Sequence, residues 1–478
     1  MPTRRALAAH GDVPALIEAV DAIVTELEVP DEFTPEAERE ARTANDPHTR
    51  VDHTGLPFVT LDPAGSQDLD QAVFIERAGR GYTIWYAIAD VGALVPPGGA
   101  MDQESHRRGE TVYLPDRRIP LYPKALSEGS ASLLPDQDRP AAVWRLDLDH
   151  TGDCVRSHVE RGLVRSRAQH DYEKVQAALD AGTADEVYQL LREVGLLRQE
   201  LERERGGVSL PLPDQQVVAG EKSWSLELRQ PLPVEAWNAQ VSLLTGMAAA
   251  QLMLYAEVGL LRTLPPIDPR GVARMRRTAQ ALGIDWPQPM DYPDFVRTLK
   301  PDTPAHVAML DACASLLRGA GYVAFDGAVP DQALHSAVAA AYAHATAPLR
   351  RLGDRYVSEV CLALCADAPV PDWVMKVLHE VPGFLAATQR RSRAVERAVL
   401  DAVEAAVLND RVGESFRAVV VDVDDKDPQR GVVVLSDLAI ESHVRGAQPL
   451  PLGHEVTVRL SEVDLVGRRV EFELQAYG

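Results

Sequence analysis

Three aspartates stand within nine residues in the stretch TLDPAGSQDLDQAV, which runs from position 60 to position 73. Asp62 ends an apolar run, and Asp68 and Asp70 flank a single leucine. The apolar neighbours indicate that these carboxylates are partly shielded from water. Like charges in such a place repel each other and resist ionisation unless a cation lies among them. The residue types and their spacing therefore point to a cation site.

The pattern around the triplet predicts a strand that ends at Asp62, a turn over residues 63–66, and a second strand opened by Asp68 and Asp70. Side chains two residues apart on a strand share a face, so the three carboxylates could meet at one point. Hard oxygen ligands suit Mg²⁺ or Mn²⁺, and two such ions can activate water and stabilise the leaving oxygen in phosphodiester cleavage. The triplet alone leaves a second interpretation open, a solvated acidic loop.

The charge of the chain gives two opposing indications about nucleic acid. The 478 residues carry a net charge of −22, which argues against binding because phosphate contacts need Lys and Arg. The basic residues are nevertheless clustered, at positions 107–108, 117–118, 274–277, 350–351 and 390–393. An acidic exterior with a basic interior groove would satisfy both observations.

The compartment can be predicted from three absences in the sequence. The longest apolar region, residues 237–261, is interrupted by polar residues, which favours a buried helix over a membrane span. Met1 is not followed by an apolar signal core, and four cysteines do not make a disulfide framework. We expect a monomeric cytoplasmic protein without membrane association.

Hydrophobic periodicity divides the chain into three predicted domains of an α+β protein. Residues 1–48 are predicted to form a small helical unit, with helix-turn-helix as one option, in which Asp12 and Thr34 cap two short helices. Residues 49–408 combine early β-hairpins with later helices, among them residues 172–204, 234–261 and 331–344. Residues 409–478 return to period two, and their four or five short strands predict a closed OB-type β-barrel.

Further motifs downstream interleave basic, aromatic and polar residues. They are RGETVYLPDRRIPLYPKALSEGSASL at 108–133, YAHATAPLRRLGDRY at 342–356 and QRRSRAVER at 389–397. Together with the aspartate hairpin and the strand AIADV, they resemble the ribonuclease II / ribonuclease R (RNB-domain) family in order and spacing. The resemblance covers roughly residues 50–405, and the C-terminal barrel is similar to the S1-type OB domain of that family.

The resemblance implies a hydrolytic exoribonuclease that needs Mg²⁺, with Mn²⁺ as an alternative. Such an enzyme draws the 3′ end of single-stranded RNA into a channel and releases 5′-mononucleotides processively. Family members usually carry two N-terminal cold-shock domains, for which residues 1–48 are too short and too helical. We therefore expect a short form with a truncated RNA entrance. A catalytically weak RNA-binding relative and a phosphodiesterase for another substrate remain alternatives.

The resemblance also implies roles for the acids. Asp62, Asp68 and Asp70 match the first three catalytic acids of the family, which hold the metal. Asp62 is expected to ligate the metal and Asp68 to ligate it or to hold its water, whereas Asp70 matches the acid whose loss removes chemistry while RNA still binds. The fourth acid of the family would fall at Gln71. An amide oxygen can ligate a metal but brings no charge, which leaves metal affinity and metal number open.

The remaining site residues are predicted to hold RNA. Tyr113 matches the tyrosine that stacks on the last base, with a core tyrosine as the alternative. Arg350 matches the arginine that binds the scissile phosphate, and Arg351 beside it contacts either the RNA backbone or the protein. Glu396 matches a glutamate that helps to expel the product, although a helix salt bridge is its alternative, and Arg393 lies on the same helical face. The aliphatic partner of Tyr113 is expected in the stretch GLLRTLPP, at Leu260, Leu261 or Leu264.

Overall fold

The computed structural model describes residues 6–9, 13–210, 214–219, 224–300, 303–424, 426–435 and 440–476. The predicted cap Asp12 lies outside them. The N-terminal quarter of the described chain contains β1 (Ala6–Ala9), α1 (Val13–Glu26), α2 (Pro35–Arg42), β2 (Val51–Asp52), β3 (Phe58–Asp62), β4 (Gln71–Ala78), β5 (Gly81–Ala89), α3 (Val91–Leu94), α4 (Ala100–Arg108), β6 (Val112–Tyr113) and β7 (Arg118–Ile119).

The middle of the chain begins with a π-helical turn at Leu126–Ser130. It continues with β8 (Asp138–Leu148), β9 (Cys154–Asp171), α5 (Tyr172–Asp180), α6 (Glu186–Glu204), β10 (Asp214–Ala219), β11 (Trp224–Arg229), α7 (Pro233–Tyr255), β12 (Val258–Thr263), α8 (Pro269–Ala281), α9 (Tyr292–Thr298), α10 (Pro304–Ser315), β13 (Gly321–Asp326), β14 (Leu334–His335) and β15 (Ala340–Ala341).

The last part begins with three helices, continues through a 3₁₀ turn at Asn409–Arg411 and ends in strands. These elements are α11 (Leu352–Cys365), α12 (Asp372–Val377), α13 (Val381–Leu408), β16 (Ser415–Val423), β17 (Arg430–Leu435), β18 (Glu441–Arg445), β19 (Glu455–Asp464) and β20 (Arg469–Ala476).

A six-stranded sheet in the order β2-β9-β3-β4-β5-β8 forms the base of the central domain. β4 and β5 are a tight antiparallel hairpin, whereas β3 runs parallel to β9. Helices α6 and α11 lie against this sheet, and α7 shares the same continuous apolar core. The early strands and late helices confirm the predicted α+β class.

The C-terminal strands close into a barrel in the order β16-β17-β18-β20-β19, which confirms the predicted OB-type architecture. Its interior is filled by alternate residues such as Val433, Val458 and Phe472. The same core includes the apolar stripe of α1 and one face of α13. The barrel is therefore packed onto the body of the protein through the helix that carries Glu396.

Three predicted helices differ from the structure: residues 172–204 are divided into α5 and α6, the helix over residues 331–344 is absent, and the helix over residues 234–261 ends early. Residues 331–344 form the short β14–β15 pair, because their backbone bonds to β12 and to the residues after it: Arg262 N–H donates to the carbonyl of Tyr342 at 2.8 Å. The helix predicted to reach residue 261 ends at Tyr255, since Glu257 adopts a positive φ of 57° and the chain turns into β12. Within the described residues, no helix is long and apolar enough to cross a membrane.

Candidate active site

The acid loop, residues 62–70 from the last residue of β3 to the residue before β4, is held in place by hydrogen bonds to two other segments. The hydroxyl of Ser132 donates to the carbonyl of Gln67 at 2.6 Å and accepts from Leu69 N–H at 2.9 Å. Ala89 N–H donates to the carbonyl of Asp70 at 2.9 Å. β4 begins only after Asp70, so the prediction that this residue opens a strand is wrong. Each aspartate of the triplet has a different environment.

Asp70 is completely buried and bound to the segment before α11. One carboxylate oxygen accepts from Leu349 N–H at 2.7 Å, and the other accepts from Nε of Arg350 at 2.6 Å. Burial nevertheless raises the pKa of Asp70 to about 6, with Arg350 opposing the shift. The predicted phosphate-binding arginine and the predicted essential acid are thus direct partners.

Asp68 is bound by an arginine that the sequence analysis placed only in a basic cluster. Nη1 of Arg118 donates to Oδ1 of Asp68, and Nη2 of Arg118 lies 3.0 Å from Oε1 of Glu128. All three side chains are largely buried. Arg118 and Glu128 were therefore missed, because only the fold brings the hairpin and the π-helical turn to the acid loop.

Asp62 is the aspartate of the triplet whose charge is left least compensated. Its Oδ2 atom is buried without a hydrogen-bond partner among the described residues. Burial first, and then the charges of Asp70 and Asp68, raise the pKa of Asp62 to about 7 against the lowering effect of Arg350. The raised pKa of Asp62 indicates that the three acids lie close enough to repel each other and that too little positive charge lies near them.

Gln71, the first residue of β4, has its amide oxygen engaged by two hydroxyl groups. Tyr86 donates to Oε1 of Gln71, and Ser242 on α7 donates to the same atom at 3.3 Å. The two hydroxyls also lie 2.8 Å apart. A neutral hydrogen-bonded group therefore occupies the position where the resemblance implies a fourth acid.

The donor set fits a hard divalent cation, although the described residues contain no ready-made cluster of three acidic, His or Cys ligands. The predicted convergence of the three carboxylates on one point is therefore not seen, because Asp68 and Asp70 are each turned toward an arginine. The unpartnered Oδ2 of Asp62 and the raised pKa values of two acids nevertheless indicate a place for added positive charge. Carboxylate oxygens favour Mg²⁺ or Mn²⁺ in such a place.

Four of the predicted residues line one cavity of about 380 Å³ beside the acids. These are Tyr113, Arg350, Arg351 and Glu396. Tyr113 is 58% exposed, so it is not the core tyrosine that was its alternative. Arg393 lies exposed on α13 but does not line this cavity.

Arg351 has a structural partner that fixes its guanidinium. It binds the fully buried Asp354, with Nη2 2.7 Å from Oδ2. Oδ2 of Asp354 also accepts from Ala347 N–H at 2.8 Å. Arg351 therefore supports the loop that carries Arg350 while it lines the same cavity.

A second cavity of about 290 Å³ is also lined by Arg350. Its polar lining includes Gln71, Tyr172, Asn238 and Ser242. The last three were not predicted as site residues, because their polar side chains stand in stretches whose dominant pattern is that of helices. The expected aliphatic partner of Tyr113 is wrong: Leu260, Leu261 and Leu264 are buried, and none of them lines either cavity.

Sequence profiles of two known domains match the chain, one over the central domain and one over the C-terminal barrel. The RNB domain matches residues 50–366, and the RNase II-type exonuclease C-terminal S1 domain matches residues 414–475. The chain belongs to the RNB-domain family.

Among its curated relatives, the chain is 26% identical over 475 residues to ribonuclease R of Escherichia coli K12, an alignment that covers 89% of this chain and 57% of that protein. It is 29% identical over 393 residues to exoribonuclease 2 of Serratia proteamaculans, covering 78% of this chain and 60% of that one. The chain thus spans about three fifths of the length of these relatives.

Solved structures share the fold. RNase R of Mycoplasma genitalium in complex with ribose-methylated single-stranded RNA superposes with a TM-score of 0.87 at 18% identity, over 96% of this chain and 78% of that one. The same enzyme in complex with double-stranded RNA gives a TM-score of 0.84 at 19% identity, over 96% and 83%.

Proposed function

We propose that the protein is a hydrolytic 3′→5′ exoribonuclease that degrades single-stranded RNA processively to 5′-mononucleotides. Membership of the RNB-domain family supports the reaction class. The observation that carries the proposal is the Asp70–Arg350 pair, whose arginine lines two cavities and shares one of them with Tyr113. Residues 49–408 would be the catalytic domain and residues 409–478 an RNA-binding domain.

The reaction needs a divalent cation, which we propose to be Mg²⁺, with Mn²⁺ as a substitute. Asp62 would hold it, with Asp68 and Asp70 beside it, and Gln71 is the neutral member of the same group. The cation would supply Lewis-acid activation of water and stabilisation of the leaving oxygen. The Leu349 N–H group donates to the carboxylate of Asp70 and holds it in place.

The protein's own side chains would hold the RNA end. Tyr113 offers an exposed aromatic face on which a terminal base could stack without regard to sequence. Arg350 would bind the scissile phosphate and stabilise its developing charge. Glu396, which lines the same cavity, would repel the released 5′-phosphate and so favour its departure.

The partners and location in this proposal are those of an RNA-degrading enzyme acting alone. Single-stranded RNA 3′ ends are the substrate, the chain acts as a monomer, and the cytoplasm is its place. The free state of Cys154, Cys313, Cys361 and Cys365 supports a reducing compartment.

A digest of 5′-labelled and of 3′-labelled oligo-RNA with Mg²⁺ tests the proposal. We expect mononucleotides to accumulate from the 3′ end while long fragments remain, and DNA of the same sequence to stay intact. Asp70→Asn should leave RNA intact yet bound. RNA left whole by the unmodified protein would favour a binding relative without catalysis, and cleavage of DNA at the same rate would favour a general phosphodiesterase.

A further inference from the structure

Arg118 places a fixed positive charge inside the acid loop. It stands on β7 opposite Tyr113 on β6, and the turn between them is closed by Leu114 N–H donating to the carbonyl of Arg117 at 2.8 Å. Ile119, next in sequence, is buried and anchors the strand in the core shared with α13. The hairpin therefore delivers the guanidinium to Asp68 and fixes its position.

The neighbouring arginine, Arg117, has different partners. Arg117 turns to the other side and pairs with Asp21 on α1 at 2.5 Å and with Asp116 at 2.7 Å. Arg118 pairs with Asp68 and with Glu128. The two adjacent arginines thus have separate partners, and of the two only Arg118 contacts the acid loop.

The charges around the loop balance for one divalent ion. Asp62, Asp68, Asp70 and Glu128 supply four carboxylates, while Arg118 and Arg350 supply two guanidiniums. When all four acids are ionised, two negative charges are left, and a single divalent ion neutralises them. A second ion would add two positive charges beyond this balance, with no further acid at Gln71 to compensate.

We propose that Arg118 is a built-in counter-cation and positioning residue of the acid loop, and that the site consequently takes a single divalent cation. Arg118 holds Asp68 in place and supplies the charge that a second ion would otherwise bring. Its register opposite Tyr113 also joins the proposed base platform to the acids. The inference rests on the proposed function for its meaning, but it concerns metal binding by this chain and is measured without RNA.

Titration of the full chain with Mn²⁺, counted by electron paramagnetic resonance of the free ion, tests the number of sites. The sites that belong to the acid loop are those that Asp62→Asn removes, which separates them from weak binding to the acidic surface. We expect one such site in the unmodified chain. Arg118→Gln should gain a second site or bind the first at least tenfold more tightly. Arg118→Lys, which keeps the charge, and Arg117→Gln, which changes the outward arginine, should behave as the unmodified chain.

Two acid-loop sites in the unmodified chain would overturn the proposal, as would an Arg118→Gln variant with unchanged number and affinity. If Arg118→Gln fails to fold, Arg118→Lys decides through the same count: one site at unchanged affinity supports the proposal, and two sites contradict it. The RNA digest of the same preparations is read separately. Intact RNA beside a single arginine-controlled Mn²⁺ site would reject the proposed function and leave the role of Arg118 standing.

Discussion

Asp70 and Arg350 form an ion pair in which the carboxylate is wholly buried and the arginine lines both cavities of the site. Nε of Arg350 lies 2.6 Å from Oδ2 of Asp70. The pair joins the acid loop to the segment before α11, far apart in sequence. It places the acid proposed to be essential in contact with the arginine proposed to bind the phosphate.

Arg350→Lys tests whether the geometry of this guanidinium matters beyond its charge. A lysine keeps the positive charge but cannot bind Asp70 through Nε while offering further N–H groups to a phosphate. We expect the single-turnover rate of RNA hydrolysis to fall by about 10²–10³, the range typical for loss of one transition-state donor. The dissociation constant for RNA should change much less, and a full rate in the lysine variant would contradict the assignment.

Asp62 should make stability depend on pH in a direction opposite to that of an ordinary surface acid. Its pKa is about 7 in the folded chain against 3.8 as the ordinary value. The folded chain therefore holds more protons than the unfolded chain between these limits, and stability is lost as pH rises through them. The loss is at most about 1.4 kcal/mol per pH unit for one group.

Calorimetric unfolding from pH 5 to pH 8 checks this. Without divalent ions, the unfolding temperature of the unmodified chain should fall relative to that of Asp62→Asn as pH rises. Saturating Mg²⁺ should reduce the difference, because the cation binds the ionised carboxylate that the proton otherwise neutralises. Parallel curves for the two proteins would show that Asp62 has an ordinary pKa.

Tyr113→Ala should weaken RNA binding by about 1–3 kcal/mol, or about 5- to 150-fold, if a base stacks on the ring. Tyr113→Phe should bind as the unmodified chain does, since stacking does not need the hydroxyl. The measurement is the dissociation constant of a short oligo-RNA in the Asp70→Asn background. Tyr255→Ala is the control, because Tyr255 is 95% exposed at the end of α7 and lines neither cavity.

Gln71→Asp should lower the Mg²⁺ concentration needed for half-maximal rate, provided that Gln71 abuts the cation. The change adds a carboxylate where Tyr86 and Ser242 now bind an amide oxygen. Gln67→Asp adds the same charge to the exposed part of the same loop and serves as the matched control. An unchanged requirement in Gln71→Asp, or an equal fall in both variants, would refute the placement.

The sequence was sufficient for the fold class because periodicity reports burial. The strands β4 and β5 and the apolar stripe of α1 were each recognisable in the sequence before the fold was known. The helix predicted over residues 331–344 was wrong for an identifiable reason. The alanines of this segment favour a helix, but its main-chain groups bond to β12 and to the residues after it. Tertiary partners of that kind leave no local pattern.

The site shows the same limit more sharply. Tyr113, Arg350 and Glu396 were recognisable from long motifs, and the fold brings them to one cavity. Arg118 was visible only as one of many paired arginines, because its partner Asp68 lies fifty positions earlier. The orientation of each aspartate likewise depends on donors such as Leu349 N–H, which no residue type reveals.

Exposed arginines on the barrel should make RNA binding depend on salt concentration. Arg445 and Arg459 are exposed on β18 and β19, whereas Arg430 is already paired with Asp427 at 3.2 Å. An arginine that contacts a phosphate releases counterions, which contributes about 0.7 to the slope of log affinity against log salt for a single strand. Arg445→Gln and Arg459→Gln should therefore each reduce the slope by about 0.7, measured in the Asp70→Asn background from 50 to 300 mM KCl, a range chosen to span roughly physiological salt. Arg430→Gln should reduce it less, since that side chain exchanges one anionic partner for another. If all three variants have the same slope as the Asp70→Asn protein, the RNA binds a different face of the barrel.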